Sequence, residues 1–238
     1  MLLGWIELIL LGLPLYLFSF LPGERRGGWY VRLFRFWCRA FVHALGVDLR
    51  LHQKNLRALP DRYLLIANHP SAFEDIGIPA LFDVDSLAKI EVRDWWLVGR
   101  ISVAAGTLFV ARESRSSRAN AMRLIEQRLG EGRNVSLYPE GGVKGMHLHD
   151  SFHHGVFDIS LRTGIPIVPV FIHYESQQDF YWGRQTLPQK LLQIMRTQNN
   201  RANYYLFDAF EPGEYADKRS YNAAVYQRYL AWQHKYLE

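Results

Sequence analysis

The chain predicts an α/β domain, a sheet flanked by helices, behind a short helical N-terminal segment, and three observations carry that reading. Of its 238 residues 49% are apolar, enough for one substantial core but not for two full domains. From about residue 47 onward, short β-branched or apolar runs alternate with amphipathic stretches, the pattern of strands and helices stacked in layers. No repeat, low-complexity tract or interdomain linker interrupts the pattern, and Pro and Gly mark single turns. One boundary is therefore drawn, between 1–45 and 46–238.

Residues 2–21 form an apolar run whose single charged side chain is Glu7. At about 1.5 Å per residue, a helix of that length matches a bilayer core. No basic segment precedes the run, and Pro22-Gly23-Glu24-Arg25 offers no small-residue cleavage site, so retention is expected rather than removal as a secretory signal. Gly12 and Pro14 allow a kink, which leaves a shallow re-entrant segment open beside a true span. In residues 29–46, Arg32, Arg35, Arg39 and His43 recur at helical spacing on one face, opposite Leu33, Phe34, Trp37, Phe41 and Leu45. A cationic stripe against an aromatic one predicts a membrane-docking helix in the headgroup layer, although an ordinary surface helix shows the same spacing. If the run spans, the arginines flanking it place this side on the cytoplasmic face of a membrane, the inner membrane in a bacterial cell.

Residues 47–52, 63–67, 107–111, 135–138 and 166–173 read as strands, with 204–210 as one more, and 71–82, 117–129, 152–162 and 220–236 as helices. Pro166 and Pro169 suit an edge strand. Lys and Arg exceed Asp and Glu by five, largely through arginines near the N-terminus, which favours an anionic bilayer surface as partner over nucleic acid. The single cysteine, Cys38, excludes an intramolecular disulfide framework and a Cys-only zinc site, and fits a reducing compartment.

The most informative stretch is Leu64-Leu65-Ile66-Ala67-Asn68-His69-Pro70-Ser71-Ala72-Phe73-Glu74-Asp75, a buried strand that runs into a histidine with two carboxylates following. In one regular helix His69 and Glu74 would point about 140° apart, so His69 must precede the helix. Pro70 suits the loop and Ser71 an N-cap, which leaves Glu74 or Asp75 in the first turn, able to fold back on the imidazole. An imidazole held by a carboxylate is a general base near neutral pH. Ser71 to Glu74 also matches a capping box, in which Glu74 would only satisfy helix N–H groups.

These residues resemble the glycerolipid acyltransferases that include 1-acylglycerol-3-phosphate acyltransferase, and the resemblance covers most of 47–173. The family's Asn-His motif, with an acidic residue five places after the histidine, is matched by Asn68, His69 and Glu74, with Asp75 next in line. Its Gly-x-x-Phe-x-x-Arg motif is matched by Gly106, Phe109 and Arg112. Its Phe-Pro-Glu-Gly-Thr-Arg motif appears as Tyr138-Pro139-Glu140-Gly141-Gly142-Val143, without the threonine and arginine, and its proline-containing apolar strand as residues 165–170. The resemblance implies a membrane enzyme that moves an acyl group from acyl-CoA or acyl carrier protein to a lysolipid hydroxyl. His69 would be the base and Glu74 or Asp75 its orienting partner, while Arg112, Glu140, Gly141 and Gly142 would hold substrate, with no further cofactor.

Arg112 at a strand end suits bidentate phosphate binding, and glycines after a strand let N–H groups hold an anion. Lys144 can stand in for the missing arginine as a point charge but not as a bidentate fork. One anchor in place of two predicts looser selectivity for a phosphomonoester. Lysophosphatidic acid, the family's commonest acceptor, still ranks first, ahead of other lysophospholipids and lyso-aminolipids. His147, His149, Asp150, His153 and His154 fit no standard zinc spacing, so no metal is expected. No Gly-x-Ser-x-Gly elbow or complete dinucleotide fingerprint occurs. The non-enzymatic alternative is a lipid-binding membrane protein that keeps this fold without catalysis.

Overall fold

The computed structural model describes residues 2–183 and 185–238. Seven strands, β1 (Asp48–Gln53), β2 (Leu64–Ala67), β3 (Asp85–Lys89), β4 (Leu108–Val110), β5 (Val135–Leu137), β6 (Ile167–Tyr174) and β7 (Arg201–Leu206), form one sheet in the order β1-β7-β6-β2-β5-β3-β4. Every neighbouring pair is parallel except β6 with β7. The period of two in β2 sorts its side chains into two layers: Leu64 and Ile66 face one core, Leu65 and Ala67 the other. The first core is closed by α5 (Arg115–Gly130), α6 (Gly155–Thr163) and α9 (Lys218–Leu237). The second is closed by α1 (Leu2–Phe18), α2 (Gly23–Ala44), α3 (Glu74–Leu81), α4 (Trp96–Ala104) and α8 (Leu187–Arg196), with the single turn α7 (Gln177–Phe180) beside it.

The helices predicted over 117–129, 152–162 and 220–236 are present with slightly shifted ends. The helix predicted from Ser71 begins at Glu74, because Ser71 to Phe73 form the turn that precedes it. The last strand lies at Arg201–Leu206 rather than 204–210, since its register is set by pairing with both β1 and β6. β6 is interior, not an edge strand. Pro169 is tolerated there because the chain opposite, between the Ile167–Phe210 bridge and Leu206, departs from regular pairing; the Pro169 carbonyl still accepts from the Phe207 N–H at 3.2 Å. β3, α4 and α8 were not anticipated from the sequence.

Among the described residues no helix is long and apolar enough to cross a membrane. α1 folds back on α2 as a helical hairpin. They approach so closely that a Cβ on Gly4 would lie 2.7 Å from the Ala44 backbone nitrogen, so only glycine fits that crossing. Leu8 and Leu15 are buried, whereas Leu3, Ile6, Ile9, Leu10, Leu13 and Leu17 stay exposed. The arginine stripe does not face outward as a unit. Arg39 Nε donates to the Ala80 carbonyl at 2.9 Å and Arg35 Nε to the Pro79 carbonyl at 3.3 Å, so both cap the C-terminal end of α3, where the helix dipole favours cations. Nor does the core divide at residue 46, because Phe34, Trp37, Cys38 and Val42 of α2 share the cluster of Leu65, Val168 and Val170.

Candidate active site

The motif residues gather where the parallel strands end. Asn68 and His69 follow β2, Arg112 follows β4, and Tyr138 to Gly142 follow β5. The carboxyl edge of a parallel sheet is where α/β proteins place ligands, because loops there fan out around the strand ends. Asn68 anchors its loop to β6: its side-chain amide donates to the Ile172 carbonyl at 2.9 Å and its oxygen accepts the Ile172 N–H at 2.6 Å. His69 then lies flat on Tyr138, with ring centroids 4.0 Å apart and an interplanar angle of 6°. Tyr138 as a stacking platform was missed at the sequence level; its place in the third motif was visible, its ring contact was not.

Glu74 has two tasks, one per oxygen. Oε1 accepts the Ser71 N–H at 2.8 Å, one half of the anticipated capping box; the other half is absent, because Phe73 is the N-cap and Ser71 Oγ accepts the Phe73 N–H at 3.1 Å instead of that of Glu74. Oε2 faces His69 Nδ1 at 3.7 Å. Both of these atoms are buried and have no hydrogen-bond partner among the described residues, and a closure of under an ångström would pair them with each other. Glu74 is fully buried and His69 only 5% exposed. Asp75 instead lines the cavity with His69.

Burial lowers the His69 pKa to about 4, opposed by the negative charge of Asp75 and reinforced by Arg112. The imidazole is therefore neutral at pH 7, the form that can accept a proton. The same burial pushes the Glu74 carboxyl well up, and raises Asp75, which His69 pulls back down.

The substrate-binding residues expected from the sequence separate into groups. Arg112 lies on the cavity wall. Glu140, 3% exposed, accepts the His69 N–H on Oε1 at 2.7 Å and the His149 N–H on Oε2 at 2.9 Å. Both oxygens accept backbone donors, so Glu140 braces the β2 and β5 loops, and it is not among the residues that line the cavity. Gly141 and Gly142 have φ of 75° and 153°; a Cβ on Gly142 would meet Arg112 Nη1 at 2.5 Å, so that glycine makes room for the guanidinium. Lys144 is exposed and is not among the residues of the cavity wall, where Val143 stands. Of the histidine cluster, His149 donates its backbone N–H to Glu140, and the His154 ring contacts the Asn222 side chain.

His69, Asp75 and Arg112 open onto a cavity of about 730 Å³, within the range of small-molecule sites. Its far walls are apolar: Phe34, Trp37 and Phe41 from α2, Val98 from α4, Leu191 and Ile194 from α8.

A histidine close to a buried carboxylate thus shares a cavity with an arginine and with apolar walls, at the carboxyl edge of a mixed α/β sheet. The chain belongs to the Acyltransferase family, whose model matches residues 49–173. It is 35% identical over 154 residues to a lyso-ornithine lipid O-acyltransferase of Pseudomonas aeruginosa, covering 65% of this chain and 58% of that one. It is 32% identical to a protein of the same name from Brucella abortus, over 76% of this chain and 70% of the other. A 1-acyl-sn-glycerol-3-phosphate acyltransferase of Neisseria gonorrhoeae is 29% identical over 50% of this chain and 46% of its own length. The chain thus spans 58% of the first relative and about half of the third. The crystal structure of the acyltransferase PlsC from Thermotoga maritima superposes with a TM-score of 0.66 over 98% of this chain and 97% of that one at 18% identity, which shows a shared fold.

Proposed function

We propose that the protein transfers an acyl group from acyl-CoA or acyl carrier protein to the free hydroxyl of a lysolipid. The observation that carries this reading is the neutral His69 imidazole on the wall of the apolar cavity, with Glu74 behind it and Arg112 beside it. His69 takes the acceptor's hydroxyl proton as that oxygen attacks the thioester carbonyl. The tetrahedral intermediate collapses, the carrier thiolate leaves, and it collects the proton from His69. Glu74 fixes the imidazole tautomer, and Arg112 holds an anionic headgroup.

The acceptor we favour is a lyso-aminolipid of the ornithine type, ahead of lysophosphatidic acid. Two of the relatives bear that activity in their names, and Val143 stands where a second headgroup arginine would bind a phosphomonoester. A carboxylate headgroup needs one bidentate fork, which Arg112 supplies. The test is thiol release from acyl-CoA with lyso-ornithine lipid, lysophosphatidic acid and monoacylglycerol, the last of which carries no anion. Arg112→Ala is expected to lower the rate on the preferred anionic acceptor about tenfold or more, the size of one lost charge-assisted bond, and Lys144→Ala to leave it within about twofold. Equal loss on acceptors with and without an exposed anion would mean that Arg112 supports the fold instead.

The exposed face of α1 rests in the membrane surface, with membrane lipids as partners, on the cytoplasmic side. That face is apolar over Leu3, Ile6, Ile9, Leu10, Leu13 and Leu17. Because α2 walls the cavity, deleting the N-terminal segment would destroy the domain, so point changes are the cleaner test. Leu10→Glu with Leu13→Glu should abolish flotation with anionic vesicles while circular dichroism stays unchanged. Undiminished flotation would remove α1 from the docking surface.

A further inference from the structure

The chain between β6 and β7 lies beyond the family match, which ends at residue 173, yet it supplies one wall of the cavity through Trp182, Gln185, Thr186, Leu187, Leu191 and Ile194. This wall is pinned at one place. Three successive carbonyls at the end of α7 each accept a side-chain donor: Phe180 from Ser71 Oγ at 2.6 Å, and Asp179 and Tyr181 from Lys190 Nζ at 2.9 and 2.6 Å. The third proton of Lys190 goes to Gln193 Oε1 at 2.9 Å, and Gln193 Nε2 returns a bond to Asp179 Oδ1 at 3.1 Å. An ammonium has three donors, and all three are spent inside the protein, so none is left for a ligand.

Lys190 is 1% exposed. It occupies the inward stripe of α8 with Leu187, Leu191 and Ile194, where spacing alone would call for another leucine. A charge in that place is tolerated because it is fully hydrogen-bonded, and its hydrocarbon stem still lines the cavity. The same α7 turn is gripped from the other side by Ser71, one of whose neighbours in the turn is Glu74. Phe180 also stacks on Tyr174 at 4.2 Å and meets Phe73 edge-on at 5.5 Å. The wall and the histidine–carboxylate turn therefore share one anchor.

We propose that Lys190 is a positioning residue for substrate selection: by clamping residues 179–181 against the Ser71–Glu74 turn it fixes the wall formed by Trp182 and residues 185–194, along which an acyl chain lies, and so sets the chain length the cavity accepts. This rests on the acyltransferase reading above. The chain can belong to the donor or to the acceptor, and the experiment varies each in turn.

The full-length protein in detergent or vesicles is assayed with octanoyl-CoA and palmitoyl-CoA at one acceptor, then with short-chain and long-chain lysolipid at one donor. Lys190→Met keeps the stem and removes the clamp. Leu187→Ala alters the wall and leaves the clamp alone. The ratio of kcat/KM for long over short chains is expected to fall at least tenfold in Lys190→Met, through KM, and in the same direction in Leu187→Ala. The arm in which it falls identifies whose chain occupies the wall. Unchanged ratios in both arms, in proteins that keep wild-type melting, would overturn the proposal. If Lys190→Met fails to fold, Leu187→Ala and Gln193→Leu decide it, and unchanged ratios in these two overturn it equally. Displacement of a bound fluorescent fatty acid is measured alongside, without turnover. Wild-type protein that binds long chains selectively but releases no thiol would sink the acyltransferase reading while leaving the wall's role intact.

Discussion

His69→Ala is expected to lower the rate of transfer by about 10²–10⁴, the usual contribution of a positioned general base, with circular dichroism unchanged. The two carboxylates are separable in the same assay. Glu74→Gln keeps an oxygen for the Ser71 N–H but can present an amide to Nδ1, which disfavours the working tautomer. Its loss should approach that of His69→Ala. Asp75→Asn removes a charge that raises the His69 pKa, so its effect should be smaller and show in the pH profile. The sign follows from burial. The His69 pKa is lowered to about 4, so kcat/KM of the free enzyme should hold level as pH falls through 6.5 and drop only toward 4. Asp75→Asn moves that drop lower still, and Arg112→Ala, which removes a repelling cation, moves it higher. A drop centred near 6.5 in all three proteins would mean that the imidazole is solvated rather than buried. Wild-type turnover in His69→Ala would remove the base altogether.

What was legible in the sequence depended on how local its cause was. The strand before His69 announced itself because Leu64 to Ala67 are buried on both faces, and the capping of Ser71 by Glu74 is a contact three residues apart. β3 gave no such signal. Its polar residues Asp85, Ser86 and Lys89 carry no strand pattern, and pairing with β4 and β5 makes a strand of them, with Arg133 meeting Asp85 at 2.8 Å and Ser136 lying 3.4 Å from Ser86. The arginine stripe of α2 was visible as spacing, but spacing cannot say that Arg35 and Arg39 find the carbonyls of a helix forty residues away. The hairpin of α1 on α2 depends likewise on a crossing at Gly4 that no hydropathy pattern encodes. Glu140 was picked out as a site residue from its motif, yet its partners lie on two different loops, so a contact with substrate and a brace behind the base look the same in one dimension. Lys190 did leave a trace, a cation in the apolar stripe of α8, whose meaning depends on the α7 carbonyls it meets.

Glu140→Gln is expected to cost both stability and rate, and to do so without touching substrate. The carboxylate accepts two backbone N–H groups, those of His69 and His149, one on each oxygen. Glutamine has the same shape but one acceptor oxygen, so its amide N–H must face one of these donors head-on. A buried donor left unpaired costs about 1–3 kcal/mol, and the bond that survives loses its charge assistance. In a chain of this size each kcal/mol lowers the melting temperature by about 2–4 °C, so a drop of several degrees should appear in a thermal melt. The rate should fall further than this instability explains. The His69 backbone is held from the β5 side by Glu140, and the ring rests on Tyr138, two residues before Glu140 in the same loop. Loosening that joint lets the imidazole wander from Glu74 and from the acceptor, and a displacement of about 1 Å at a reacting group can cost about 10²-fold. The loss should therefore appear in kcat at temperatures well below the melt, with KM for the acyl donor little changed, because the cavity walls are built from α2, α4 and α8. A Glu140→Gln protein with wild-type kcat and melting temperature would show that the two loops are held by other contacts. A rise in KM alone would return Glu140 to the substrate-binding set.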